Sequence, residues 1–175
     1  VSRAPNAALD PELAESWNAV DGGWVFYLRI GVKFHDGASF TAEDVKFSIE
    51  RAQSEASDFK KRVKSITSVE IIDEYTVKFV TSAPNPILPN EITSVFIMDK
   101  EWSEANNVTT PQDFDASEET FAVRSANGTG PFQLVSRAPD ELTVMVRNAD
   151  WWGNSVFPGN VDKIEFRPVV NASTR

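Results

Sequence analysis

The chain has 175 residues, 41% of them hydrophobic and five of them tryptophan, enough for one compact domain or a large piece of a bigger one that needs no disulfide or metal staple. A balance of 17 Lys and Arg against 26 Asp and Glu, net −9, argues against a nucleic-acid partner and an anionic membrane surface, leaving a small ligand or a protein. The absence of cysteine removes thiol nucleophiles, Cys-based zinc sites and disulfides, and no apolar run approaches the ~20 residues that span a bilayer.

The opening "VSRAPNAALDPELAESW" has no signal-peptide apolar region, so an export signal is expected to have been removed or to lie outside this sequence. Residues 13–30 predict two strands joined at Asp21-Gly22-Gly23, a tight-turn signal. Trp24, Phe26, Leu28 and Ile30 fall on one face of the second strand, with Val25 and Tyr27 on the other. That strand is expected to be covered on both sides.

A helix is expected from Thr41. Thr41 as N-cap with Asp44 three residues on approaches a capping box, and Glu43 and Asp44 suit the first-turn dipole. Ala42, Val45, Ile49 and Ala52 make a stripe at helical spacing. "SVEII" and "YTVKFV", split by Asp73-Glu74, predict a hairpin. Pro84, Pro86 and Pro89 limit the next segment to a loop or a short helix start.

"SVFIM" (94–98) reads as a short apolar strand. Residues 99–121 read as a solvated acidic face with short helical pieces in "DKEWSEA", "TPQDF" and "ASEETF". "NGTGPF" is a turn, "PFQLVS" and "ELTVMVR" are strands, "NADWWG" is an aromatic turn, and "VDKIEFRPV" is a closing strand. The sum is a mixed α/β chain without regular βαβ alternation.

Several stretches suggest chemistry. His35, the only histidine, precedes Asp36 and could act as a base. No nucleophile elbow or second histidine accompanies it, and between a strand and a helix cap it is expected to bond backbone. "NGTGP" lacks the helix start that a phosphate loop needs, so Gly128 and Gly130 are expected to serve unusual backbone angles or a close approach. Asp36, Glu43 and Asp44 could pair as a hydrolase acid and nucleophile, but helix capping accounts for two of them. Of Trp151 and Trp152, one ring is expected in the core and one half-exposed. Asn107, Asn127 and Asn171 match the glycosylation pattern, which matters only in a eukaryotic secretory host. No catalytic constellation emerges, and a binding module is favoured by elimination.

The order of "PELAESW", "WVFYLRIGVKFHDGASFTAEDVKFSIERA", "NGTGPFQLV" and "VRNADWWG" resembles the family 5 extracytoplasmic solute-binding proteins, the oligopeptide, dipeptide and nickel receptors of bacterial ABC importers. The resemblance covers nearly the whole chain, loosely over 53–125. It implies a periplasmic-binding-protein-like (type II) fold, represented by a first-lobe fragment only. Residues 1–125 would be the smaller subdomain of lobe I and 126–175 the beginning of the larger, with the second lobe absent.

The resemblance also implies that "KFHDG" is a structural signature in which His35 fixes the turn. It implies a periplasmic or extracytoplasmic receptor that passes a peptide or similar small solute to a membrane permease, with no cofactor, metal or catalytic residue. In such receptors lobes close over the ligand by a hinge motion, so this segment would contribute one wall. The candidates for that wall are Thr93, Ser94 and Val95, and Asn127, Gly128 and Thr129. An incomplete lobe exposes apolar surface, so self-association is expected. The alternatives are a carboxylate-dependent hydrolase and a protein-interaction module built on the acidic stretch 113–119.

Overall fold

The computed structural model describes residues 1–116 and 118–169. A two-stranded ribbon of β1 (Ser2–Arg3) and β2 (Leu9–Asp10) precedes β3 (Ala14–Val20) and β4 (Gly23–Leu28). Helix α1 (Ala42–Gln53) and the short α2 (Lys60–Val63) lead to β5 (Ile66–Asp73) and β6 (Thr76–Thr81). These four strands form one antiparallel sheet in the order β3-β4-β6-β5. Helices α3 (Leu88–Glu91) and α4 (Lys100–Ala105) follow, and then β7 (Phe132–Ala138), β8 (Leu142–Arg147) and β9 (Lys163–Phe166) pair as a separate antiparallel sheet.

The fold is mixed α/β, as the pattern predicts, and its core lies between α1 and the four-stranded sheet. All four residues of the predicted helix stripe are buried there, with Phe26 and Leu28 of β4 and Val77 and Phe79 of β6. The rings of Phe26 and Phe79 meet at 4.8 Å between centroids, a geometry that adds to their area burial. Thr41 Oγ1 accepts the Glu43 N–H, and Asp44 Oδ2 accepts the Thr41 N–H at 2.8 Å, which completes the capping box.

Covering of β4 on both faces holds only in part. Val25 is buried, but Tyr27 on the same side is 43% exposed. Ile30 lies beyond the strand, where the chain has left the sheet for the turn at Gly31, and it is 72% exposed.

"SVFIM" is not a strand. A 3-10 turn occupies Ile92–Ser94, and the rest runs as an extended segment beside α1. Ser48 of α1 supplies its hydrogen bonds instead of a neighbouring strand. Ser48 Oγ accepts the Met98 N–H at 2.8 Å and donates to the Met98 carbonyl at 3.3 Å. Ile97 packs on the core while Phe96 turns outward.

Among the described residues, of the predicted acidic helices only "DKEWSEA" forms, as α4 capped by Asp99, whose carboxylate accepts the Trp102 N–H at 2.8 Å. In "TPQDF" the Asp113 carboxylate bonds the N–H groups of Asp115 and Ala116, a local turn that competes with helix. The "ASEETF" run includes Ser117, which is outside the described residues. Its end enters a 3-10 turn at Phe121–Val123.

The β7–β9 sheet is shallower. None of its residues is fully buried, and Val135 and Phe166 are exposed. Trp152 packs on the main core beneath the Arg29 guanidinium, 4.3 Å from the ring centroid. Trp151 turns to Phe157 and Arg147 on the outer side. Both rings are half-buried, so the pair divides between two clusters rather than between core and solvent.

Candidate functional site

His35 stands in the turn between β4 and α1 and reaches far along the chain. Its backbone N–H donates to the Gly128 carbonyl at 2.8 Å. Its Nδ1 accepts the Gly128 N–H at 3.3 Å, and its Nε2 lies 3.1 Å from the Gly130 carbonyl oxygen. The turn itself is tied by Asp36, whose carboxylate accepts the Ala38 N–H at 3.0 Å. The expected backbone bonding of His35 is therefore present, but it fixes a distant loop rather than its own turn.

Asn127 extends that junction. Its Oδ1 accepts the Asp36 N–H at 3.1 Å, and its Nδ2 donates to Asp99 Oδ2 at 3.0 Å. At Gly128 a Cβ would stand 3.4 Å from His35 Cε1, at the edge of ordinary contact with a side chain, so the expected close backbone approach does not by itself demand glycine there. Gly130 has open space instead, and neither glycine has a positive φ. Pro131 leads straight into β7, so the segment has no helix start to hold a phosphate.

A cavity of about 480 Å3 opens between these segments. Its floor is apolar, with Val45 and Ile49 of α1 and Phe79 of β6. One rim is Thr93, Val95 and Phe96 and the other is Gly128, Thr129 and Gly130. Phe96 lines the cavity while 80% exposed, so the space reaches solvent there. Glu12 is the one charged side chain among its described lining residues.

Four of the six expected wall residues, Thr93, Val95, Gly128 and Thr129, thus border one space. Ser94 and Asn127 do not line it. Ser94 points its hydroxyl into a buried position with no partner among the described residues, and Asn127 is committed to Asp36 and Asp99. Sequence reading missed Phe96 and Gly130. The available signal for Phe96 was a large aromatic in an apolar run too short to be an inner strand, between a proline loop and a helix cap.

The carboxylates considered for hydrolysis have structural partners. Asp36 bonds the Ala38 N–H, and Glu43 pairs with Lys100 at 3.4 Å. Asp44 is buried and accepts N–H groups of Thr41 and Lys100. Asp44, Asp99 and Glu101 bring carboxylate oxygens within 4.8 Å of one another. Burial pushes the Asp44 and Asp99 carboxyls above their ordinary value, with backbone N–H donors opposing. Each oxygen of Asp44 and Asp99 accepts a hydrogen bond from a protein donor. Of the three glycosylation matches, Asn127 is buried, Asn107 is a positive-φ residue just after α4, and Asn171 lies outside the described residues.

Comparison with known proteins agrees with this architecture. The chain is 29% identical over 167 residues to the glutathione-binding protein GsiB of Salmonella typhimurium (strain LT2), covering 93% of this chain and 30% of that protein. It is 28% identical over 189 residues to the dipeptide-binding protein of Escherichia coli (strain K12), covering 94% and 33%. The structure of NikZ from Campylobacter jejuni in complex with Ni(L-His) superposes with a TM-score of 0.81 at 27% identity, over 98% of this chain and 33% of that one. The chain therefore spans about a third of the length of these relatives. The family model for bacterial extracellular solute-binding proteins, family 5 Middle, matches residues 8–175, and the chain belongs to that family.

Proposed function

We propose that this chain forms part of an extracytoplasmic receptor that binds a peptide or similar small solute, without turnover, and delivers it to an ABC transporter permease. The observation that carries this reading is the shared cavity. Thr93 and Val95 reach it from one segment and Gly128 and Thr129 from another, with an apolar floor between them. Such a concave, mostly apolar space with few polar groups suits a small ligand.

In this reading residues 1–125 and 126–175 are two subdomains of one lobe, and a second lobe supplies the opposite wall. Glutathione and dipeptides are named for the relatives, and Ni(L-His) for NikZ, which sets the solute panel. The exposed apolar residues of the β7–β9 sheet support self-association when that face is uncovered. The hydrolase alternative is not favoured, because Asp36, Glu43 and Asp44 each have a structural partner.

A thermal-shift screen of this chain, alone and joined to a second lobe, tests the proposal with glutathione, dipeptides and Ni(II)–L-histidine. A solute at a hundredfold over its Kd should stabilise by ~2.7 kcal/mol. A response of the two-lobe protein alone supports the reading. Catalytic consumption of a solute, or an equal response of the chain by itself, counts against it.

A further inference from the structure

The groups facing the His35 ring dictate its protonation pattern. Gly128 N–H can only donate, so Nδ1, 3.3 Å away, must accept. The Gly130 carbonyl can only accept, so Nε2 at 3.1 Å must carry the proton. The ring is half-buried and remains open to solvent protons. It bridges 93 residues of sequence to reach the loop that forms one rim of the cavity.

We infer that the His35 ring is a proton-responsive clamp on the Gly128 N–H at the cavity rim, a bond made only while Nδ1 is free to accept. A proton on Nδ1 sets two donors against each other and breaks the Gly128 bond. Nε2–H still donates to Gly130, whose carbonyl also accepts Asn148 Nδ2 at 3.2 Å. Asn127 stays tied to Asp36 and Asp99. The Gly128 carbonyl also keeps the His35 backbone N–H at 2.8 Å, so the release is confined to the Gly128 N–H. Its consequence for solute affinity rests on the receptor reading above, whereas the clamp itself does not.

Other titratable groups stand near. Asp36 follows His35 in sequence, and Asp99, Asp44 and Glu101 lie behind the Asn127 amide. Residues 126–130 contribute no ionisable side chain. Among the described residues, neither ring nitrogen hydrogen-bonds a carboxylate or a cationic side chain. The test must separate His35 from these carboxylates. His35→Gln does so, because an amide offers one acceptor and one donor and does not titrate.

The experiment is amide hydrogen exchange on this chain at about pH 5 and about pH 8, which bracket the charge change of an imidazole. Rates are corrected for intrinsic pH dependence, and imidazole nitrogen shifts are recorded on the same samples. The expected result is an Nε2–H tautomer at the higher pH and about a tenfold loss of Gly128 protection in acid, with core amides such as Phe40 unchanged. In His35→Gln the Gly128 protection should be independent of pH. A pH-independent Gly128 in the parent, an Nδ1–H tautomer, or the parent's acid response persisting in His35→Gln each overturns the inference. Should His35→Gln fail to fold, the parent decides: Gly128 exchange must follow the same midpoint as the ring nitrogen shifts. If the clamp behaves as expected but glutathione, Ala-Phe and Ni(II)–L-histidine all fail to bind the two-lobe protein at about pH 8, the receptor reading fails and the clamp stands.

Discussion

Asn127 Nδ2 donates to Asp99 Oδ2 at 3.0 Å, and both side chains are buried. This one bond ties the cavity loop to the N-cap of α4, while the Oδ1 end of the same amide holds the Asp36 N–H. Three segments distant in sequence thereby share a single side chain.

Replacing Asn127 with alanine leaves a buried carboxylate oxygen and a backbone N–H without partners. The expected cost is about 1–3 kcal/mol, read from urea unfolding midpoints. A change below about 0.5 kcal/mol would show that water serves both groups equally well.

Thr41→Ala should cost about 1 kcal/mol through loss of the N-cap hydroxyl, and Thr41→Ser should recover most of it. Thermal unfolding of the two variants checks this. Equal melting of Ala and Ser variants would assign the effect to the threonine methyl instead.

Gly23 and Gly22 adjoin in one turn but should respond differently. A Cβ on Gly23 would lie 1.9 Å from the Phe79 carbonyl oxygen, which is backbone and cannot move aside without breaking the β4–β6 pairing. Gly23→Ala should cost more than about 4 kcal/mol. Gly22 has open space around it and φ +75°, so Gly22→Ala should cost only about 1 kcal/mol of backbone strain. Circular dichroism with urea titration ranks the two, and a milder Gly23 variant would contradict the register described here.

The burial of Asp44 and Asp99 should make stability rise as the pH falls from neutral. Asp44 and Asp99 are raised first by burial, so the folded chain holds more protons than the unfolded chain above their ordinary value of 3.8. Their stabilisation is complete below that value and lost as pH rises through the folded values. Glu55, Glu119 and Glu165 are lowered by bonds to Lys60, Arg124 and Lys163. These exposed pairs are screened, and their contribution fades only below the ordinary 4.5. The gain in urea midpoint as the pH falls from neutral should be smaller in Asp99→Asn than in the parent, and an equal gain in the two would contradict the assignment.

Helix α1 is legible in the sequence because its signals are local: the cap, the first-turn acids and the apolar stripe all lie within twelve residues. The β5–β6 hairpin is legible for the same reason. "SVFIM" misleads because its composition suits a strand, while its backbone partner is the Ser48 hydroxyl of a helix 50 residues earlier in the chain. The cavity follows the same rule. Its rims come from residues 92–97 and 128–130, and no periodicity links them. The family resemblance points to Thr93, Ser94, Val95, Asn127, Gly128 and Thr129, of which Ser94 and Asn127 do not line the cavity, and only the folded chain brings Phe96 and Gly130 beside the other four.

The most direct measurement is calorimetric titration of the two-lobe receptor with the solute returned by the thermal-shift screen, comparing the parent with Phe96→Ala and Thr129→Val. Phe96 is mostly exposed and Thr129 lies on the opposite rim, so both variants should melt near the parent temperature. If the two segments form one solute wall, each variant should weaken Kd by about tenfold, or roughly 1.4 kcal/mol. Parent-like affinity in both variants would contradict the account and place the solute elsewhere.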